Sequence, residues 1–293
     1  MTAEPGQDAG RGAAVLVLVA GASIIGLAPI LVRVAHAGPA AVGFWRLLLS
    51  LPILAVMARR SGGGIGRPTG FAMLAGLAFA LDLGFWHYGI VNTSVGKATV
   101  LTNLTPVVVT AVTWIVWKQR PAPIFLVSVA LTVGGAWMLA MAKGVGASGP
   151  NPRLGDALSL VTAVWYALYF LTVSAARRTH PTTQIMFWLS STGAPLLLLA
   201  AWLLGERTLP ATAAGWAACA GLGVVHVAGQ GSIAWALGRL PPATASVTVL
   251  VQPVVAGLLG WFLFTERFSG WQMAGAALAL AGVALAQASR VSP

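Results

Sequence analysis

The sequence predicts an all-α membrane protein: ten transmembrane helices, built as two inverted five-helix repeats. Three observations carry that expectation. Of 293 residues, 58% are hydrophobic and only 8% charged, against about 25% charged in an ordinary soluble domain. Apolar runs, each about the ~20 residues that cross a ~30 Å hydrocarbon core, follow one another with short connections. The second half of the chain also repeats the first.

The runs fall at about 13–35, 39–58, 70–91, 96–117 and 122–141, then at about 154–175, 182–204, 212–237, 243–264 and 270–288; they are called spans 1 to 10 below. The segment Met1–Gly12, with Glu4, Asp8 and Arg11, lacks the basic start and cleavage site of a signal peptide, so span 1 is expected to stay in the membrane. Short connections bearing Gly, Pro and Arg separate the spans and leave no room for a folded soluble domain. The longest, KGVGASGPNP, divides the chain into repeats at 1–145 and 150–293.

Charge placement sets the orientation. With the N-terminus inside, the inner segments hold Arg11, Arg59, Arg60, Arg67, Lys118, Arg120, Arg177, Arg178, Arg239 and Arg290. The outer ones hold Arg33, Lys97, Lys143, Arg153, Arg207 and Arg267. The inner side is richer, so both termini are expected in the cytoplasm. The net charge of +11 comes from Lys and Arg scattered between apolar runs, not from one patch, and does not point to nucleic acid. Cys219 is the sole cysteine, which excludes an intrachain disulfide and a thiolate metal site, and it reads as a packing residue.

The repeat is legible residue by residue. Pro106 matches Pro253 at a shift of 147 (253 − 106), and the same register aligns Ala98 with Ala245, Trp114 with Trp261, Leu131 with Leu278 and Gly135 with Gly282. Upstream, GFWRLLLSLPILA from Gly43 resembles MFWLSSTGAPLLLLA from Met186. Five spans per repeat is an odd number, so the copies sit in opposite orientations. Many secondary transporters are built on that plan, with substrate sites near the midplane where the repeats meet.

Charged side chains inside spans cost at least ~2.5–3.5 kcal/mol on insertion scales and are the sharpest pointers to a site. Arg46 lies inside span 2 and Asp82 near the middle of span 3. They read either as cavity groups, Arg46 for a substrate carboxylate and Asp82 for an amine or a transferable proton, or as partners that fix helix packing. Trp86 shares a face with Asp82, and His87 and Tyr88 follow. His226 and Gln230 share a face of span 8, and each histidine could line the cavity or simply be a satisfied packing group. Asn103 in span 4 must find partners in the bundle interior, on the side of Thr99 and Pro106. Thr248 and Gln252 give span 9 the equivalent edge, and Trp165 and Tyr169 form a one-turn aromatic stripe in span 6. Trp45 and Trp235, near polar neighbours, join the cavity set, whereas Trp137, Trp202, Trp216 and Trp271 fit interface belts. Asn92 and Lys97, at the wet boundary, read as anchors. Pro106 and Pro253 each remove a helical hydrogen bond, giving paired hinges or paired static bends.

The segments TNLTPVVVTAVTWIVWKQR and VLVQPVVAGLLGWFLFTER, with GGAWMLA and AGVALA in the last span of each repeat, are similar to the drug/metabolite transporter superfamily of EamA type. The many tryptophans and FWHYG make the chain look most like the bacterial aromatic amino acid exporter branch. The resemblance implies a basket-like fold around a central cavity, and export of amino acids or related metabolites across the inner (plasma) membrane by alternating access, with both termini cytoplasmic. The partners expected are a small-molecule substrate and membrane lipid, with no cofactor, metal or nucleic acid. There is no GxxxxGK[ST] and no ATPase subunit is implied. A nucleotide sugar or a drug-like cation is the alternative cargo. An intramembrane enzyme is a weaker reading: Ser232 with His226 or His87 has no GxSxG frame, and no HExxH is present. A channel would want rings of like charge, and these are missing.

Overall fold

The computed structural model describes residues 5–93, 98, 101–140, 150–255, 258 and 269–288. These residues are all-helical, with no strand among them, as the composition requires: in lipid every backbone group must be satisfied within its own segment. Six helices are long and apolar enough to cross a membrane: Gly10–Val32, Pro39–Arg60, Gly70–Asn92, Pro152–Ala176, Thr182–Leu203 and Ala213–Ala236. Four shorter apolar helices, Thr105–Trp117, Pro123–Met138, Pro242–Val255 and Met273–Ala288, account for spans 4, 5, 9 and 10.

Side chains sort by solvent. Leu16, Phe71, Ile115, Trp202, Leu203, Trp271 and Met273 are exposed and form the lipid-facing surface, and the four belt tryptophans of the sequence reading are all among the exposed residues. The interior is rich in small residues, among them Ala14, Ala22, Ala40, Ala41, Ala58, Ala72 and Ala75. Lipid gives no hydrophobic drive for helix association, so close backbone approach through such residues supplies the contact energy instead.

Contacts follow a two-fold plan. Span 2 packs on span 7, span 4 on span 9 and span 5 on span 10; span 3 packs on span 6 as span 1 does on span 8. The crossing of spans 5 and 10 shows how close the symmetry is. Gly135 lies on the backbone of Ala279, and Gly282 on the backbone of Thr132, where an added Cβ would sit 2.7 Å from the Thr132 nitrogen. Both pairs are 147 apart (282 − 135 and 279 − 132), the shift read from the prolines. Arg11 Nη2 donates to the Gln287 carbonyl at 3.3 Å, so span 1 starts beside the end of span 10.

Helix starts are explicit in the sequence. Thr69, Asn151 and Thr212 accept from Ala72, Leu154 and Gly215 amides as side-chain caps. The prolines differ from expectation. Pro52 and Pro195 lie inside spans 2 and 7. Pro106, by contrast, is at the start of a fresh helix after a turn at Asn103 and Leu104, and Pro253 follows a turn at Val249 and Leu250. A proline is tolerated in a first helical turn because its missing N–H needs no partner there. Spans 4 and 9 are therefore broken just ahead of these prolines rather than bent at them.

Candidate functional site

Five spans send polar or aromatic groups to one buried centre. Span 2 supplies Arg46, whose guanidinium carbon lies 5.6 Å from the Phe79 ring of span 3. Phe79 also meets Tyr169 of span 6 (5.1 Å) and His226 of span 8 (5.3 Å). Tyr166 stacks on Tyr169 with ring centroids 5.6 Å apart and planes 9° apart. Asp82 of span 3 lies in the same interior as Arg46, with no ion pair between them, and both are near Tyr166 and Tyr169. Tyr166 lies near Gln230 of span 8 and Gln252 of span 9. Arg46, Asp82, Tyr169, His226 and Gln230 are all buried.

Local structure aims these groups. Residues His226–Gln230 form a single π-turn within span 8. Such a turn inserts a residue without breaking the helix and is frequent at functional sites. It keeps His226 and Gln230 on one face while His226 Nε2 meets Ser190 Oγ of span 7 at 3.0 Å, and Ser190 in turn meets Ser50 of span 2 at 3.3 Å.

The centre is under-bonded. Arg46 Nε, Tyr169 OH, His226 Nδ1, Gln230 Oε1, Thr244 Oγ1 and Gln252 Nε2 are buried without a hydrogen-bond partner, as are Asn103 Nδ2 and Trp165 Nε1. Trp165 is 6.4 Å from the Phe85 ring. Buried polar groups of native proteins are nearly always satisfied by protein or ordered water, so these donors and acceptors are available to water or to a polar guest.

Four residues grouped with this centre on sequence grounds belong elsewhere. Trp45 is at the start of span 2: its Nε1 donates to the Thr208 carbonyl at 2.7 Å and its ring meets Trp216 edge-on at 4.6 Å. Tyr88 donates its hydroxyl to Glu206. His87 Nδ1 is held by the Pro39 carbonyl at 2.7 Å, although its buried Nε2 has no partner. Trp235 lies under the Arg239 guanidinium, 3.6 Å from it, toward the far end of span 8. The physical reason is common to these four. An indole, phenol or imidazole near a span end finds a loop carbonyl, carboxylate or guanidinium within reach, and that pairing fixes it there. Trp86 is half-buried beside His87. Asn92 donates to the Tyr88 carbonyl at 2.8 Å, an anchor as expected, while Thr99 and Lys97 lie outside the described residues.

Sequence reading missed Tyr166, Phe79, Ser190 and Glu206. Tyr166 was findable, since it stands three residues before Tyr169 and so shares its face. Among the described residues no group of His, Cys, Asp and Glu could hold a metal ion. His226, the histidine that does touch a serine, has no partner on Nδ1 to orient it as a base.

Known proteins resemble this chain along nearly all its length. An uncharacterized transporter of Archaeoglobus fulgidus is 26% identical over 274 residues, covering 92% of this chain and 94% of that one. The uncharacterized transporter YwfM of Bacillus subtilis is 27% identical over 265 residues, covering 86% of each. One solved crystal structure superposes with a TM-score of 0.78 at 18% identity, covering 94% of this chain and 97% of that one, which bears on the fold alone. The pattern of the EamA-like transporter family matches twice, at residues 12–141 and at 153–287. With an all-helical membrane architecture, repeat-related contacts and a buried polar centre where the halves meet, this chain belongs to the EamA-like transporter family.

Proposed function

We propose that the protein exports amino acids, those with aromatic or apolar side chains favoured, across the inner membrane with both termini in the cytoplasm. The observation that supports it is one buried cation, Arg46, and one buried carboxylate, Asp82, with no ion pair between them, in the interior that also holds the rings of Phe79, Tyr166 and Tyr169. A zwitterion matches both charges: its carboxylate pairs with Arg46, its ammonium with Asp82, and neither buried charge is left uncompensated. The rings then receive the side chain, with stacking worth ~0.5–1.5 kcal/mol per pair beyond burial. Gln230, Gln252 and Asn103 supply the remaining hydrogen bonds. A phosphate-rich cargo would want a basic cluster, and Arg46 is the one buried arginine among the described residues.

Alternating access follows from the repeats, with the breaks ahead of Pro106 and Pro253 as the two hinges. Purified protein in liposomes should take up labelled phenylalanine, and a pH gradient should change the rate if Asp82 carries a proton. Tyr166→Phe, Trp165→Ala and Asn103→Ala should reduce uptake in protein that remains monodisperse. Normal uptake by all three variants would move the site elsewhere. Pro106→Ala and Pro253→Ala should shift the exposure of a cysteine at Asn103 in opposite directions; a shift in the same direction makes the breaks static.

A further inference from the structure

Spans 2 and 7 are joined at both membrane faces by the same tie, written twice. Trp45 Nε1 donates to the Thr208 carbonyl at 2.7 Å, and Trp188 Nε1 donates to the Ile65 carbonyl at 3.1 Å. Donors and acceptors are both 143 residues apart (188 − 45 and 208 − 65), the register in which GFW aligns with MFW. Beside each indole a second contact follows the same register with its chemistry reversed. At one end the Glu206 carboxylate of the loop after span 7 accepts from the Ala40 and Ala41 amides at 3.1 and 3.0 Å. At the other, Gln184 of span 7 donates to the Gly63 and Gly64 carbonyls at 2.9 and 3.2 Å. Glu206 corresponds to Gly63 and Gln184 to Ala41, again at 143 (206 − 63 and 184 − 41). In one copy the loop brings the side chain and the helix its backbone; in the other the roles are exchanged.

The two ties stand at opposite ends of the helix Thr182–Leu203, whose 22 residues span about 33 Å. Midway, Ser50 of span 2 meets Ser190 of span 7 at 3.3 Å. Outer end, middle and inner end are thus bonded at once. Spans 4 and 9, which pack on each other, have the opposite character. Both are interrupted, at Asn103–Leu104 and Val249–Leu250, and Asn103, Thr110, Thr244 and Gln252 in them keep unpaired polar atoms.

We infer that spans 2 and 7 form a rigid spine that stays closed at both faces throughout the cycle, and that cargo passes along the wall formed by spans 4 and 9. A gate that opened alternately at each end of the spine would have to break one tie whenever the other formed. Breaking one would strand an indole N–H and, at the Glu206 end, two helix amides and a carboxylate. Span 2 opens with Gly38, which has no capping side chain, and Pro39, which has no N–H, so Ala40 and Ala41 depend on Glu206. The broken spans offer a cheaper motion, because their helical hydrogen bonds are already interrupted.

The inference rests on the transport reading, so its test carries a readout that needs no cargo. In Cys219→Ala protein, Ala37→Cys with Arg207→Cys places a thiol pair at one end of the spine. Gly63→Cys with Gln184→Cys places one at the other, leaving the Trp188 tie intact. A short bis-methanethiosulfonate reagent, cleavable by reductant, should link both pairs in the same molecule, and linking one should leave the linking rate of the other unchanged. The doubly linked protein should transport phenylalanine at the rate of its reduced form. A second link slowed severalfold by the first makes the two ends mutually exclusive and overturns the spine, whether or not phenylalanine is the cargo. Transport lost on linking and regained on reduction overturns it too. No uptake by the reduced protein, with link rates independent, keeps the spine and rejects only the cargo.

Discussion

Glu206→Ala tests the reasoning about the span 2 start most directly, because Gln184→Ala at the repeat-equivalent tie is its internal control. Glu206 caps two amides of a helix that brings no cap of its own and also receives the Tyr88 hydroxyl. Losing an N-cap costs about 1 kcal/mol, and a charged acceptor is roughly twice as strong as a neutral one. The phenol left without its partner adds about 1 kcal/mol, giving a loss of roughly 2–3 kcal/mol. Gln184 is a neutral donor to two loop carbonyls that water can reach, so Gln184→Ala should cost roughly 0.5–1 kcal/mol. At ~2–4 °C per kcal/mol for chains of 150–250 residues, Glu206→Ala should melt roughly 4–12 °C lower and Gln184→Ala roughly 1–4 °C lower. Tryptophan fluorescence melts of both variants in one detergent, at one scan rate, give the comparison. Glu206→Gln, which keeps an acceptor oxygen but not the charge, should fall between. Equal losses from the two alanine variants would refute the argument that the ties differ in strength while matching in geometry.

Three further outcomes follow. Gly135→Leu and Gly282→Leu should damage the crossing of spans 5 and 10 to similar extents, because each glycine meets partner backbone that cannot move aside; a melt that separates them by more than a few degrees breaks the symmetry argument. Arg46→Leu removes the buried cation that acts on buried Asp82, and Arg46→Leu with Asp82→Leu should be more stable than the sum of the two single losses predicts; additive losses in the double variant mean the two groups do not compensate each other. For the proposed orientation, single cysteines at Arg67 and Arg207 in Cys219→Ala protein should react with a membrane-impermeant thiol reagent from opposite sides, Arg67 from the cytoplasm.

The spans and their number were legible because composition and a gapless repeat constrain them strongly. The prolines were visible but their role was not: a proline inside an apolar run looks the same whether the helix bends at it or begins again before it. The turn residues Asn103, Leu104, Val249 and Leu250 carry no Gly–Pro signature. Arg46 and Asp82 announced themselves by the cost of a charge in lipid, and both are buried in the interior. Glu206 did not, since a carboxylate in a connecting loop reads as solvated until the helix start it caps is placed beside it. Trp45 shows the same limit from the other side. Its alignment with Trp188 was readable, but the carbonyls that the two indoles seek lie in loops with no shared sequence.

The capping of span 2 also has a bearing on biosynthesis. The amides of Ala40 and Ala41 are satisfied by a carboxylate 165 or more residues further along the chain. At ~5–20 residues per second, the ribosome needs roughly 8–33 s to make that stretch. During that interval span 2 sits in the bilayer with its first turn open to water or lipid headgroups. The first five helices are therefore not a finished unit when the translocon releases them. Their folding is completed only as the loop after span 7 emerges, so assembly of the first half waits on the second.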